Sequence, residues 1–260
     1  KNNQKDFPFK VTRQFAKRIK KRDPNDPLFL QIVSKNFRAA KNPAFSNDPL
    51  LENNLNTGLP LLKKYEGRAL LLLTGSCAIH CRYCFRQKFS YSSRIGSKKL
   101  FESIKKIKCD QSIKEVILSG GEPLTLTDQK LKDIVKEISS IDHIKTIRFH
   151  TRMPIVYPAR ITDGLCLILS QSKKNIVMVI HSNHANELDS EVATSLKKLK
   201  QQDFFLLNQS VLLKNVNDNL RSLETLSEKL FTCGVIPYYM HFLDKITGAE
   251  RFEVSLQRAK

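Results

Sequence analysis

No apolar run in this chain is long enough to span a bilayer. The longest in its 260 residues, Ala69-Leu-Leu-Leu-Leu73, is strand-sized and far short of the ~18 residues a spanning helix needs. The opening Lys-Asn-Asn-Gln-Lys-Asp carries no hydrophobic signal region. Six cysteines do not make a disulfide scaffold. The sequence also lacks a starting methionine, a low-complexity linker and any repeat beyond an alternation of strands and helices. Acidic side chains are scarce, 25 against 44 basic, for a net charge of +19. Such an excess suits a nucleic-acid or acidic protein partner when it is concentrated. Here the lysines are spread along polar helix faces, as in Lys98-Lys99, Lys105-Lys106 and Lys197-Lys198. None of these runs is interleaved with aromatics as a single-strand platform requires. The expectation is a soluble, cytoplasmic protein with no membrane or nucleic-acid partner. Its 41% hydrophobic composition can bury one large α/β core or two small ones.

What is present is concentrated in eleven residues, Gly75-Ser-Cys77-Ala-Ile-His-Cys81-Arg-Tyr-Cys84-Phe85. The spacing C-x3-C-x2-C can hold three irons of a four-iron, four-sulfur cubane through thiolates and leaves the fourth iron open as a reaction site. A three-cysteine zinc site completed by another residue is the competing reading; His80 is available by composition but sits one residue from Cys81. Cys109, Cys166 and Cys233 lie among apolar residues and read as buried thiols acting as small hydrophobes. A cluster needs reduced thiolates, so a reducing compartment is implied.

From residue 66 the chain alternates short β-type runs with amphipathic helical stretches. Strands are expected at 69–73, 115–119, 146–150, 175–181, 204–208 and 235–242, most of them apolar throughout, as strands buried on both faces are. Helices are expected at 98–108, 128–138 and 218–231, the last with Leu220, Leu223, Leu226 and Leu230 on one face. Six strand–helix units predict a partial (β/α)6 parallel barrel spanning 66–250. Residues 1–65, with a short basic helix at 15–21 and turns at Asp23–Asp26, Asp48–Leu50 and Thr57–Pro60, form a small N-terminal helical extension; 251–260 begin a C-terminal segment that breaks off. Every expected strand ends in polar or reactive residues: the cysteines, Ser119-Gly-Gly-Glu-Pro123, His150-Thr-Arg-Met-Pro154, His181-Ser-Asn-His184, Asn208-Gln-Ser210 and Tyr238-Tyr-Met-His-Phe-Leu-Asp244. Parallel barrels build their active sites at that end.

The cysteine spacing with Tyr83 before the last cysteine, followed by Gly120-Gly121-Glu122-Pro123, resembles the radical S-adenosylmethionine superfamily. Cys84-Phe-Arg86, His181-Ser-Asn-His-Ala-Asn-Glu187, Asn208-Gln-Ser-Val-Leu-Leu213 and Pro237-Tyr-Tyr239 narrow the resemblance to its lysine 2,3-aminomutase branch. Phe7-Pro-Phe-Lys-Val-Thr-Arg-Gln-Phe15 and Asp23-Pro-Asn-Asp-Pro27 are similar to the subgroup that makes (R)-β-lysine for elongation factor P. The resemblance implies a 4Fe-4S cluster on Cys77, Cys81 and Cys84. It implies S-adenosylmethionine held on the open iron with help from Tyr83, Gly120, Gly121, Glu122, His181 and Gln209. It implies pyridoxal phosphate, with Lys64, Tyr65, Arg68 and Arg152 near its phosphate. The lysine forming the internal aldimine is expected beyond residue 260; Lys245 lies near the site but does not match that motif. Arg86 is the implied ligand of the lysine carboxylate and Asp244 that of its side-chain ammonium. Implied partners are L-lysine, a flavodoxin or ferredoxin as electron donor, and elongation factor P with its lysyl ligase. Two alternatives stay open: a catabolic lysine 2,3-aminomutase of opposite product stereochemistry, and a basic iron–sulfur RNA-binding module.

Overall fold

The computed structural model describes residues 7–34, 42–52 and 58–259; the expectations on the first six residues, Thr57 and Lys260 lie outside them. The chain begins with two short helices, α1 (Arg13–Lys17) and α2 (Pro27–Ile32). Each starts where a side chain can accept from orphan backbone donors. Thr12 accepts from Phe15 N at 3.2 Å, and Asp26 accepts from Leu28 N and Phe29 N at 2.8 Å each. The basic helix is therefore shorter than expected and ends at Lys17, four residues before Lys21.

Seven strands follow among the described residues: β1 (Leu61–Tyr65), β2 (Arg68–Thr74), β3 (Glu115–Gly120), β4 (Thr146–Thr151), β5 (Asn175–His181), β6 (Phe205–Val211) and β7 (Ile236–His241). They form one sheet in chain order. β2 to β7 are parallel, and β1 adds antiparallel to the edge through the turn at Gly67, whose φ is +74°. Six parallel strands in sequential order make the partial (β/α)6 barrel. The strand β1 corrects the expectation of a purely helical extension up to residue 65. Helices α3 (Ser97–Cys109), α4 (Asp128–Ser139), α5 (Met153–Val156), α6 (Asp163–Ser170), α7 (Ser190–Lys200) and α8 (Leu220–Thr232) fill the crossovers; α9 (Leu256–Ala259) comes last.

Successive strand residues point to opposite faces, and the two faces of this sheet have different chemistry. Leu71 and Leu73, Val116 and Leu118, Ile147 and Phe149, and Met178 and Ile180 share one buried cluster with Ile107, Leu131, Leu165, Leu196 and Leu226 from the helices. At ~1.5–3 kcal/mol per buried large side chain, this outer interface is the principal source of stability. Phe15, Leu28 and Ile32 of the lead-in join the same cluster, so the first helices pack onto the barrel wall. The alternate positions, including Arg68, Glu115, Arg148, His150, His181 and Gln209, line the inner face.

Two packing expectations need correcting. On α8, Leu226 and Leu230 are buried but Leu220, the first helical residue, is 81% exposed. Cys166 is buried and Cys233 half-buried, whereas Cys109 is exposed at the C-terminus of α3. Among the described residues no helix is long and apolar enough to cross a membrane.

Candidate active site

Directly after β2 the chain enters the cysteine loop. Cys77, Cys81 and Cys84 are all half-buried, and Cys84 N donates to Cys81 O at 3.1 Å. Burial and the neighbouring thiols raise both Cys77 and Cys84, the latter to about 11. Cys77 and Cys84 are thus held as thiols by burial, and bound metal cations would supply the stabilisation their thiolates lack. His80 does not complete the set. Its Nδ1 lies 2.8 Å from Pro8 O and its ring stacks on Phe7 at 4.5 Å.

The glycine pair at the end of β3, Gly120 and Gly121, seats this loop. Gly121 N donates to Thr74 O at 2.6 Å, and Glu122 N to Ser76 O at 2.8 Å. A Cβ on Gly121 would lie 2.4 Å from Ser76 O, and one on Gly120, whose φ is +121°, would lie 2.6 Å from Thr74 O. The glycine pair thus permits backbone to approach backbone beneath the cysteines. Glu122 is buried and its carboxylate is fully engaged. Oε1 accepts from Thr151 Oγ1 at 2.6 Å and Leu124 N at 3.1 Å, and Oε2 accepts from Arg152 N at 2.7 Å. In the structure Glu122 ties the end of β3 to the end of β4.

Tyr83 is buried beside the cysteines, with its ring edge-on to His181 at 5.8 Å and to Phe252 at 6.0 Å. Its hydroxyl accepts from Asn183 Nδ2 at 2.7 Å. His181 Nε2 is buried with no hydrogen-bond partner, and burial, followed by the Arg152 charge, pushes its pKa down to about 3. A neutral imidazole with an unsatisfied nitrogen is rare unless a ligand is meant to meet it. Gln209 is its register partner on β6. This orphaned nitrogen and the uncapped cysteines fit a cluster with S-adenosylmethionine beside it.

Arg152 faces the cysteine loop. Its Nη2 donates to Glu187 Oε2 at 2.9 Å and Gln31 Oε1 at 2.7 Å, and its Nη1 donates to Cys81 Sγ at 2.7 Å. The guanidinium is buried against the cysteine loop, with its donors turned to that loop and the lead-in. Gln31, Asn183 and Glu187 complete a polar network that sequence reasoning did not assign to the site, although Asn183 and Glu187 stand inside a quoted motif.

Further along the inner face, Arg86 holds Glu52 through Nε–Oε2 at 2.8 Å and Nη2–Oε1 at 3.0 Å, and Lys64 reaches the same carboxylate at 3.1 Å. Burial works to raise the Glu52 pKa, but Arg86 and Lys64 more than offset it. Asp244 stands in the field of His241, Glu52, Lys64 and Arg86, and burial holds its pKa above the usual carboxylate value. His150 is also close: burial, then Arg148, Arg86 and His241, depress it to about 3.

A second cationic group lies towards the start of the strands. Arg68 and Arg148 both pair with Glu115. Arg148 sits over the Tyr238 ring at 5.7 Å, and the rings of Tyr238 and Tyr239 lie 4.0 Å apart. A register shift between Asn208 and Gln209 lets two tyrosines oppose one residue, as bulges do. Tyr65, on β1, is 71% exposed. Arg148 was not anticipated; the alternation of β4, with Ile147 and Phe149 facing the helices, is the signal that finds it.

Comparisons with known proteins agree with this geometry. A family profile described as a 4Fe-4S single cluster domain matches residues 65–155. An L-lysine 2,3-aminomutase of Haemophilus influenzae is 44% identical over 250 residues, covering 96% of this chain and 74% of the relative. Another from Buchnera aphidicola is 47% identical over 258 residues, covering 98% and 76%. A third, from Escherichia coli, is 43% identical over 256 residues, covering 98% and 74%. Among solved structures, native anSMEcpe with bound AdoMet and Cp18Cys peptide shares the fold, with a TM-score of 0.53 at 13% identity over 73% of this chain and 56% of that one.

Proposed function

The chain belongs to the lysine 2,3-aminomutase family of radical S-adenosylmethionine enzymes, and on that footing we propose that it makes (R)-β-lysine from L-lysine for the modification of elongation factor P. It is an isomerase of the lysine 2,3-aminomutase type, with a 4Fe-4S cluster, S-adenosylmethionine and pyridoxal phosphate as cofactors. To the enantiomer and the elongation factor the proposal adds a flavodoxin or ferredoxin donor and a cytoplasmic setting. The lead-in motifs at 7–15 and 23–27 support the enantiomer and the elongation factor.

The observation that carries the substrate reading is the buried fork of Arg86, which already grips a carboxylate, that of Glu52, at two points, with Asp244 in its electrostatic field. A free amino acid with a distant ammonium needs one cationic and one anionic anchor. Arg86 offers a planar fork for two parallel bonds to the carboxylate, and Asp244 offers an acceptor for the side-chain ammonium. His150 and His181 stay neutral around neutral pH, so they orient without adding charge. Val177 and Val179 are buried, and with the half-buried Leu207 they make an apolar stretch of the inner wall.

Cys77, Cys81 and Cys84 would hold the cluster, while His181, Gln209 and Tyr83 would hold S-adenosylmethionine, with Gly120, Gly121 and Glu122 fixing the loop beneath. When bound, these groups supply the radical that removes a substrate hydrogen, and pyridoxal phosphate carries the migrating amine. For the pyridoxal phosphate group, Arg68, Lys64 and Tyr65 keep their proposed role. Arg148 replaces Arg152 in that set, because it shares the inner face with Arg68 while the Arg152 donors are turned to Cys81, Gln31 and Glu187.

The test is anaerobic reconstitution with iron, sulfide and pyridoxal phosphate, then incubation with L-lysine and S-adenosylmethionine under a low-potential reductant. Chiral chromatography should find (R)-β-lysine. The opposite enantiomer would assign the chain to catabolic use, and an iron-loaded protein that leaves lysine untouched would overturn the substrate.

A further inference from the structure

The cysteine loop is not left to solvent and backbone alone: one of its three sulfurs receives a hydrogen bond from a buried cation. Arg152 Nη1 donates to Cys81 Sγ at 2.7 Å. Its other terminal nitrogen is fixed by Glu187 and Gln31, and its plane sits over the rings of Phe15 at 5.4 Å and Tyr83 at 5.8 Å. Glu187, fully buried, is itself held by Asn183 N at 3.0 Å and by Gln31 Nε2 at 3.0 Å. The fork therefore has one available orientation, with a nitrogen directed at sulfur.

We propose that Arg152 is a positioning residue that sets the reduction potential of the cluster through Cys81, with Glu187 as the counterweight that limits its effect. When one electron from an external low-potential donor enters the cluster, negative charge on the cysteine sulfurs increases. Arg152 neither gives nor takes an electron. A donor bond and a positive charge at that sulfur stabilise the reduced form and raise the potential, one of the protein's recognised levers on iron–sulfur centres. Glu187 acts in the opposite sense, since a buried carboxylate nearby disfavours the extra electron. Low local dielectric makes both effects larger than at a surface. The pair also links the cluster to the lead-in through Gln31 of α2, so the potential depends on a residue fifty positions before Cys81. The inference rests on the cysteines being the cluster ligands, and iron content reports on that reading separately.

The experiment is a potentiometric titration of the reconstituted protein followed by electron paramagnetic resonance of the reduced cluster. Arg152→Gln should lower the reduced-to-oxidised ratio at a fixed potential about tenfold, or ~59 mV for one electron. Glu187→Gln should shift the ratio the other way, and Arg152→Lys, which keeps the charge and loses the fork, should fall between wild type and Arg152→Gln. Opposite signs at Arg152 and Glu187 are what a purely structural role would not produce. Iron-loaded Arg152→Gln and Glu187→Gln with unmoved potentials, or with shifts of the same sign, would overturn the proposal. If the substituted proteins do not load iron, the wild-type protein labelled with 15N in its arginine guanidinium groups decides. A 15N hyperfine coupling on the reduced cluster supports the bond, and its absence overturns it. A wild-type protein that takes up no iron would overturn the cluster reading and this inference with it.

Discussion

Arg86 and Glu52 form a buried two-point pair, guanidinium to carboxylate, at 2.8 and 3.0 Å. This is the same pairing that Arg86 would make with the carboxylate of an amino acid. A carboxylate of the chain therefore stands in the place proposed for one of the substrate, and Lys64 helps to keep it there.

From that competition comes a pair of opposite expectations. Glu52→Gln weakens the internal claimant, so KM for lysine should fall severalfold while kcat changes less. Arg86→Lys keeps the charge but loses the fork and should raise KM tenfold or more, in line with ~1.5–3 kcal/mol for a charge-assisted bond. Steady-state kinetics under anaerobic conditions reads both. Equal KM in wild type and Glu52→Gln would remove Glu52 from competition for Arg86.

At the other end of the proposed substrate, Asp244→Asn should weaken lysine far more than a substrate analogue with no side-chain ammonium. Competition binding with lysine and norleucine measures the difference. A variant that handles lysine normally would take Asp244 out of the site.

Iron content should divide the cysteines into two groups. Cys77→Ala, Cys81→Ala and Cys84→Ala should each lose most of the iron and the brown colour. Cys109→Ala, Cys166→Ala and Cys233→Ala should retain both. Iron and sulfide assays after desalting suffice, and unchanged iron in all three motif variants would refute the cluster assignment.

The glycines below the loop make a geometric prediction. Gly121→Ala places a methyl group 2.4 Å from Ser76 O, so backbone must move, at a cost of roughly 1–3 kcal/mol and with loss of iron retention. Gly164→Ala, in α6 and 3.9 Å from its nearest neighbour, Thr162 Oγ1, should be neutral or stabilising by up to ~1 kcal/mol. The urea midpoint of Gly121→Ala should fall below that of wild type, while that of Gly164→Ala should match or exceed it.

Acid sensitivity should begin well above the usual carboxylate range. The folded pKa values of His150 and His181, about 3 each, lie below the unfolded value of ~6.5. The unfolded chain thus binds more protons as pH falls. Their contribution to stability is complete above ~6.5 and is lost progressively down to about 3. At pH 5 each should have cost roughly 2 kcal/mol relative to pH 8. Glu122 and Asp244, both raised by burial, work in the opposite sense at lower pH. The urea midpoint of His150→Asn should fall less steeply between pH 8 and 5 than that of wild type.

Much of this arrangement could be read before any coordinates. Strands such as Asn175–His181 declare themselves because both faces are buried and nearly every residue is apolar. β1 did not, since Leu-Leu-Lys-Lys-Tyr is an edge strand with one buried residue, and its identity as a strand comes from pairing with β2. The cysteines stood out by their local spacing, and His181 by its place at a strand end and by resemblance. Gln31 and Glu52 were not, because their roles depend on contacts made across the folded chain: Gln31 meets Arg152 121 positions later, and Glu52 meets Arg86 34 positions later. Glu122 was found by motif, while its bonds to Leu124, Thr151 and Arg152 come to light only in the fold.

The strict chain order of the sheet also fixes a timetable. Each parallel strand pairs with the one made just before it, so the barrel wall can grow one unit at a time as the polypeptide leaves the ribosome. The lead-in cannot keep that pace. Gln31 is made well before its partners Arg152, Asn183 and Glu187, which follow it by 121, 152 and 156 positions. The first helices are thus made early and docked late. They act as a latch that closes over the cysteine loop once β5 is in place.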